Sequence, residues 1–444
     1  MPTEGQTESL TESLSASLTE SLTRELDFSP ELAALAGRAA TQCEPAWRRV
    51  EAIGAANQLR VLQAFRDEQV ADFDLTGSTG YGYGDVGRDK LDRIYARVFG
   101  TEAALVRPQL VSGTHALAAM LFGVLRPGDE LLAITGTPYD TLLPVIGVGS
   151  EAAPGSLRDF GVGYREVPLT PAGRPDEAAI RAAIGAATRA VLIQRSRGYA
   201  WRAALSVADI ARLITVVKET KPGCLCLVDN CYGEFTETRE PGHVGADLLA
   251  GSLIKNAGGG IAPTGGYLAG RAEWVEHAAA RVTAPGIGSH VGPSLGVMRL
   301  LYQGLFLAPH VVGQALQGAT FAAALLDLAG METSPRWDEP RSDLIQALRL
   351  GTAAGLIAFC QGLQKFSPVD SGVRPEPWDM PGYSHPVIMA AGTFVQGASI
   401  ELSADAPLRE PYDVFVQGGL TREAVMAGVL GGLQEMIERG LLKL

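Results

Sequence analysis

Short apolar runs recur along the first half of the chain, each closing on small, polar or charged residues. They are Ala103 to Val106, Glu130 to Ile134, Ala190 to Gln194, Cys224 to Val228 and Leu248 to Ile254. Runs this short, bounded by turn residues, have the length of buried strands rather than of helices. Helical spacing fills some of the intervals, as in Leu91, Ile94, Tyr95 and Val98, which follow Arg88 and stop at Gly100. Strands alternating with helices imply an α/β fold, a mostly parallel sheet covered on both faces. Ligands of such sheets gather at the carboxyl ends of the strands.

The composition agrees with a large globular α/β protein: 444 residues, 46% apolar, with 53 glycines spread along the chain. The formal net charge is −12, and no dense Lys/Arg cluster offsets it. That balance argues against nucleic acid or an anionic membrane surface as a partner. No unbroken apolar run reaches about 18 residues, and the N-terminus lacks a basic start followed by an apolar stretch, so neither a membrane span nor a secretory signal is expected. The five cysteines make no disulfide framework. Cys224 and Cys226 share one strand face and are expected in the core, in a cytoplasmic, reducing setting.

Chemistry concentrates where the runs end. Asp229 follows the run to Val228 and so puts a carboxylate at a strand exit, in Asp229-Asn230-Cys231-Tyr232-Gly233-Glu234. Lys255 stands in Ser252-Leu253-Ile254-Lys255-Asn256, just ahead of Gly258-Gly259-Gly260. Ser112-Gly113-Thr114 opens a helix, where free backbone N–H groups make a ready phosphate site, although plain capping needs no ligand. The neighbouring His115 is expected to pack or cap. Tyr139 sits just past a strand end, where a ring can lie on an aromatic ligand. Arg195, Arg197 and Arg202, beside Tyr199 and Trp201, form either a pocket for a carboxylate or a solvated loop. The stretch Leu75 to Asp85 sets Tyr81 and Tyr83 among glycines, as a surface loop or as a loop passing close to a ligand.

An acid and an amine at two strand ends, with a phosphate-type helix start and a ring support, suit pyridoxal 5′-phosphate (PLP). The lysine would form a Schiff base with the cofactor and the acid would pair with its pyridine nitrogen.

The order of Ser-Gly-Thr, Tyr139, Asp229 and Ser-x-x-Lys255 resembles the fold-type I PLP-dependent enzymes, and within them the Cys/Met metabolism group. More narrowly, the chain is similar to the aluminium-resistance or methionine γ-lyase-like (cystathionine β-lyase-like) family. The stretches that carry this are GSTGYGYGDVGRDKLDRIYARVFG, SGTHA, IQRSRGYAW, DNCYGEF, SLIKNAGGGIAPTGGYLAG, QGLFLAPHVVG, ELSADAPLREPY and FVQGGLT. The resemblance implies that Lys255 holds the cofactor and moves the proton, and that Asp229 keeps the pyridine nitrogen protonated. It implies that Ser112, Gly113, Thr114 and Ser252 bind phosphate, and that Tyr139 stacks on the ring and serves the leaving thiolate. It further implies a homotetramer, a dimer of dimers, with Tyr81 or Tyr83 reaching into a neighbour's site. Two departures stand out. The loop usually carries Tyr-x-Arg, whereas this chain has Tyr81-Gly82-Tyr83 with the next basic residue at Arg88. Arg195-Ser196-Arg197 replaces the usual Asn-containing loop, which makes Arg195, Arg197 and Arg409 the candidates for a substrate carboxylate.

The implied activity is that of a PLP-dependent carbon–sulfur lyase on cystathionine, methionine or a similar amino acid. An aminotransferase, an aldolase or a non-catalytic protein linked to metal resistance would carry much the same residues. Ser252-x-x-Lys255 also fits serine penicillin-binding enzymes, but their Ser-Asp-Asn and Lys-Thr-Gly are missing. The domains expected are an N-terminal arm over 1–45, a PLP-binding domain over 46–300 and a smaller α/β domain over 301–444. Within the arm, Thr7 to Thr23 repeats a Thr/Ser-Glu-Ser-Leu unit, helical or disordered, and a helix is expected over Ala46 to Phe65.

Overall fold

The computed structural model describes residues 21, 25–149, 154–380 and 385–444. The leucines of the N-terminal repeat lie outside the described residues. The chain divides into two units: Ile53–His310, and residues up to Ala52 together with Val311–Leu444.

The first unit is built on a seven-stranded sheet. Its strands are β1 (Ala103–Arg107), β2 (Glu130–Ala133), β3 (Gly163–Glu166), β4 (Thr188–Gln194), β5 (Leu225–Asp229), β6 (Leu248–Ser252) and β7 (Gly266–Gly270). They lie in the order β1-β7-β6-β5-β4-β2-β3. All neighbours pair in parallel except β7, which runs antiparallel to both β1 and β6. The expected α/β fold with a mostly parallel sheet is what the chain adopts. Two strands escape the apolar-run reading. β3 is an edge strand of Gly-Tyr-Arg-Glu, largely exposed, so no core demands an apolar face there. β7 is Gly-Tyr-Leu-Ala-Gly, and glycine at both ends weakens any strand signal. Its glycines are required by contact: a Cβ on Gly270 would stand 2.3 Å from the Asp247 carbonyl oxygen.

One face of this sheet packs on α3 (Gly113–Val124) and α7 (Ala272–Val282), with Leu121, Leu131, Leu192, Leu227, Leu268 and Ala278 in a common core. Each buried Leu or Val side chain contributes about 1.5–3 kcal/mol, so this core fixes the register of the strand ends. Gly123 lets the two helices close in, since a Cβ there would lie 2.8 Å from Ala278 Cα.

The second unit contains an antiparallel five-stranded sheet in the order β10-β11-β12-β9-β8. The strands are β8 (Thr333–Ser334), β9 (Gln346–Arg349), β10 (Val387–Ala390), β11 (Ser403–Pro407) and β12 (Asp413–Gln417). Helices α9 (Ala353–Lys365) and α10 (Arg422–Glu438) pack on each other through Gly362, whose Cβ would stand 2.2 Å from the Gly431 carbonyl oxygen. The helix expected from Ala46 begins earlier, as α1 (Pro30–Asp67), and Phe28, Leu32, Ala36 and Trp47 join this unit's core. Helix α8 (Met298–Leu328) has the length and apolarity of a membrane span, but 78% of its most apolar stretch is buried inside the protein, as suits a core helix.

Candidate active site

Three central strands end side by side. Gln194, last in β4, pairs with Asp229, last in β5, and Asp229 pairs with Ala250 of β6. The apolar run before Asp229 therefore delivers its carboxylate to the carboxyl edge of the sheet, as expected. Asp229 is buried, its Oδ1 accepts the Cys231 N–H at 3.1 Å, and among the described residues it forms no ion pair. Burial pushes its carboxyl above the ordinary range, while Lys255 and the contacts from Cys231 pull it back.

Two residues past β6, the chain turns through Ile254 and Lys255. Leu253 N–H donates to the Gly265 carbonyl at 2.9 Å, so the loop carrying Lys255 is closed at its base. The half-buried Lys255 places Nζ 4.0 Å from the centre of the Tyr232 ring. Burial alone would depress this amine. The field of Cys231, Tyr232, Asp229 and Glu234 outweighs it and holds Lys255 above the ordinary lysine value. The lowered value that base catalysis calls for is therefore not a property of the cofactor-free site, because the acidic groups around the amine outweigh its burial.

The Ser112 side chain caps α3, accepting the His115 N–H at 3.0 Å. His115 in turn accepts the Val111 N–H on Nδ1 at 3.3 Å, a local contact in keeping with a capping role. The start of this helix comes directly onto the strand exits: a Cβ on Gly113 would stand 3.3 Å from both Cys231 Sγ and Ser252 Cβ. Gly113, Cys231 and Ser252 thus meet around one point, with Ser112 and Thr114 flanking Gly113 at the positive end of the helix dipole and Asp229 two residues before Cys231. Thr114 Oγ1 lies 2.9 Å from Thr141 Oγ1, linking the helix start to the turn after Tyr139. Tyr139 joins the same edge, its N–H donating to Gln194 Oε1 at 2.7 Å and its ring meeting Tyr199 edge-on at 5.5 Å.

The arginine loop divides. Arg195 was expected at a substrate anion, but its guanidinium is fully buried and held by Glu237 at 3.0 Å, Glu240 at 3.2 Å and Asn230 Oδ1 at 2.9 Å. It clamps the loop after β5 from within; the two glutamates that draw it inward are far from Asp229 in neither sequence nor fold. Arg197 is buried as well. Arg88 is taken up by its own loop, donating to the Gly82 carbonyl at 2.7 Å and to Asp89. Tyr81 and Tyr83 are 74% and 67% exposed, their rings 5.6 Å apart. Arg409, exposed after β11, belongs to the second unit.

Two site neighbours escape sequence reasoning. Tyr232 has a left-handed backbone (φ +69°), a strained state for a non-glycine residue that clusters at functional sites. Glu234 is fully buried below it. Both lie in the quoted DNCYGEF stretch, and only a carboxylate amid otherwise apolar or small residues hints at either.

A cofactor with an anionic phosphate and a cationic ring nitrogen fits this set. The helix start offers N–H groups at a cradle that a Cβ would fill, and Asp229 is a buried carboxylate with no ion-pair partner among the described residues. Among the described residues, no group of three or more His, Cys, Asp or Glu side chains could hold a metal ion.

Residues 32–437 match the family described as methionine gamma-lyase. YnbB, an uncharacterized protein of Bacillus subtilis, is 53% identical over 395 residues, covering 89% of this chain and 94% of YnbB. A carbon-sulfur lyase involved in aluminum resistance from Clostridium novyi is 48% identical, with a TM-score of 0.90 over 94% of this chain and 98% of that one. The PLP-dependent protein YhfS of Escherichia coli shares the fold at 17% identity, with a TM-score of 0.59 over 86% and 96% of the two chains. With the family covering nearly the whole described chain, this protein is a member of the methionine gamma-lyase family.

Proposed function

We propose that the chain is a PLP-dependent carbon–sulfur lyase that cleaves a sulfur amino acid such as cystathionine or methionine to a thiol, a 2-oxo acid and ammonia. The observation that carries this reading is the convergence of Gly113, Ser252, Cys231 and Asp229 beside the loop of Lys255. The N–H groups at the start of α3 and the Ser252 hydroxyl bind the phosphate. Asp229 would accept a hydrogen bond from the protonated ring nitrogen and keep it charged. Bound there, PLP supplies an electron sink for the carbanion at Cα. Lys255 anchors the group and removes the Cα proton. The Tyr139 hydroxyl gives a proton to the departing sulfur, so a neutral thiol leaves. Arg197 is the candidate within this unit for the substrate carboxylate, in preference to Arg195, which is held by Glu237 and Glu240.

The activity is proposed to belong to a cytoplasmic homotetramer. Exposed Phe73, Tyr81, Tyr83, Val86 and Leu295 support assembly, since a run of exposed large apolar side chains suits a covered face. The test is direct. Added PLP should give a visible band that borohydride abolishes while fixing the cofactor on Lys255, and the unreduced protein should yield thiol and 2-oxo acid from cystathionine or methionine. Amino-group exchange without thiol release would replace the lyase reading with an aminotransferase.

A further inference from the structure

The loop after β5 and the loop after β6 are joined beneath the site by one side chain. Tyr267, buried in β7, donates its hydroxyl to Glu234 Oε1 at 2.9 Å and accepts from Asn230 Nδ2 at 3.1 Å. Asn230 is the residue after Asp229. On the other side, Asn256 Nδ2 donates to the Glu234 backbone carbonyl at 2.9 Å, and Asn256 is the residue after Lys255. Glu234 therefore reaches the neighbour of the acid through its carboxyl and the neighbour of the amine through its backbone. Strand β6 is shaped around this contact: a Cβ on Gly251 would stand 2.5 Å from Glu234 Oε1 and 2.7 Å from the Tyr267 hydroxyl oxygen. Glu234 is fully buried, and its Oε2 has no hydrogen-bond partner among the described residues. A full negative charge is poorly supported at such a place.

We propose that Glu234 is a positioning residue that pins the Asp229 turn to the Lys255 turn through Tyr267, Asn230 and Asn256. It deepens the functional reading above, since it concerns the same amine. Burial above all, with Glu240 adding, pushes the Glu234 carboxyl up to about 8, while its own backbone N–H, Tyr267 and Lys255 oppose, so the neutral form is favoured at neutral pH. Cys231 and Tyr95 also face it, and Arg195 sits behind Glu240. Below about pH 8 the link is a neutral one, and Lys255 feels mainly Asp229. Above it, Glu234 becomes a second anion near the amine and strengthens its hold on the proton.

The test uses the full chain without cofactor, so it does not depend on lyase activity. The rate at which an amine-directed reagent modifies Lys255, followed by peptide mass mapping, is measured against pH for the native chain, Glu234→Gln and Tyr267→Phe. Glu234→Gln keeps an oxygen for Tyr267 and removes the charge. Its half-maximal pH should fall by about 1 unit, close to a tenfold faster reaction at a fixed pH between about 8 and the native half-maximal pH, with the two rates converging below about pH 8. Tyr267→Phe cuts the link and should move the profile the same way by less, because the carboxyl loses the donor that favours its anion. Thermal unfolding gives a second reading. A carboxyl raised in the folded state carries stability that is whole below about pH 4.5 and is lost as pH climbs through about 8. Native Tm should fall over that window more steeply than that of Glu234→Gln. If the glutamine variant does not fold, Tyr267→Phe decides alone. Profiles that superimpose on the native one, in variants folded to the native Tm at pH 6, would overturn the proposal. A native chain that takes up no PLP would instead sink the functional reading, and the Lys255 profile would still decide the role of Glu234.

Discussion

Two glycine-rich loops in the first unit look alike as strings and use their glycines differently. In the loop around Gly77, Gly80, Gly82 and Gly84, every one of these glycines has positive φ, and a Cβ on Gly80 or Gly84 would meet nothing within 4 Å. Its tyrosines stand in solvent. In Gly258-Gly259-Gly260 the first two glycines are needed for room. A Cβ on Gly258 would lie 1.7 Å from the Leu253 carbonyl oxygen, and one on Gly259 would lie 2.3 Å from the Gly304 carbonyl oxygen. Gly80 and Gly84 serve backbone direction alone, Gly258 serves closeness, and Gly259, with φ +57°, serves both, as Gly82 does beside Pro293. Only the second loop holds the turn of Lys255 against the rest of its unit.

The sharpest break of that contrast is Gly258→Ala. The backbone clash should cost about 3 kcal/mol or more, visible as a large drop in the urea midpoint, with loss of PLP uptake in whatever remains folded. Lys255→Ala comes next in consequence for activity, not for stability. Thiol release should fall by about 100-fold or more while the urea midpoint drops only modestly, because the acids around the half-buried amine lose the cation that they stabilise. Gly84→Ala should cost only about 1 kcal/mol, the penalty of a left-handed alanine with open space around it. If Gly84→Ala proved as damaging as Gly258→Ala, the distinction between direction and closeness would collapse. Smallest in the isolated chain is the double change Tyr81→Ala and Tyr83→Ala, within about 0.5 kcal/mol of native stability. Sedimentation should nonetheless show a weaker assembly if this loop reaches a neighbour.

Much of the first unit was legible because its strands are buried on both faces and so read as unbroken apolar runs. β4, β5 and β6 lie within two residues or so of where those runs fall. β7 was hidden by Gly266 and Gly270, which are there for tight backbone contact and weaken any strand signal. The start of α1 was hidden for another reason: Phe28 and Leu32 pack on residues beyond position 320, a contact no local pattern reveals. In the site, Asp229 and Lys255 were visible as polar residues at the ends of apolar runs. Arg195 was visible too, but its direction was not. Whether a guanidinium turns outward to an anion or inward to Glu237 and Glu240 depends on a loop forty residues later in the chain, whose place beside β4 only the folded sheet supplies. Tyr232 and Glu234 depend on backbone handedness and burial, which residue types alone do not encode.

Strand β7 has one more effect. Because it runs back along β6, Ser252 and Gly266 are partners, and the chain between them leaves and re-enters the sheet at a single rung. Lys255 therefore rides on a stitched ring of backbone and not on an open crossover to a distant strand. A protease cut inside that ring would leave both new ends sewn into the sheet. The amine's neighbourhood is thus guarded twice, by the covalent chain and by the ladder across its neck, so losing one need not release it.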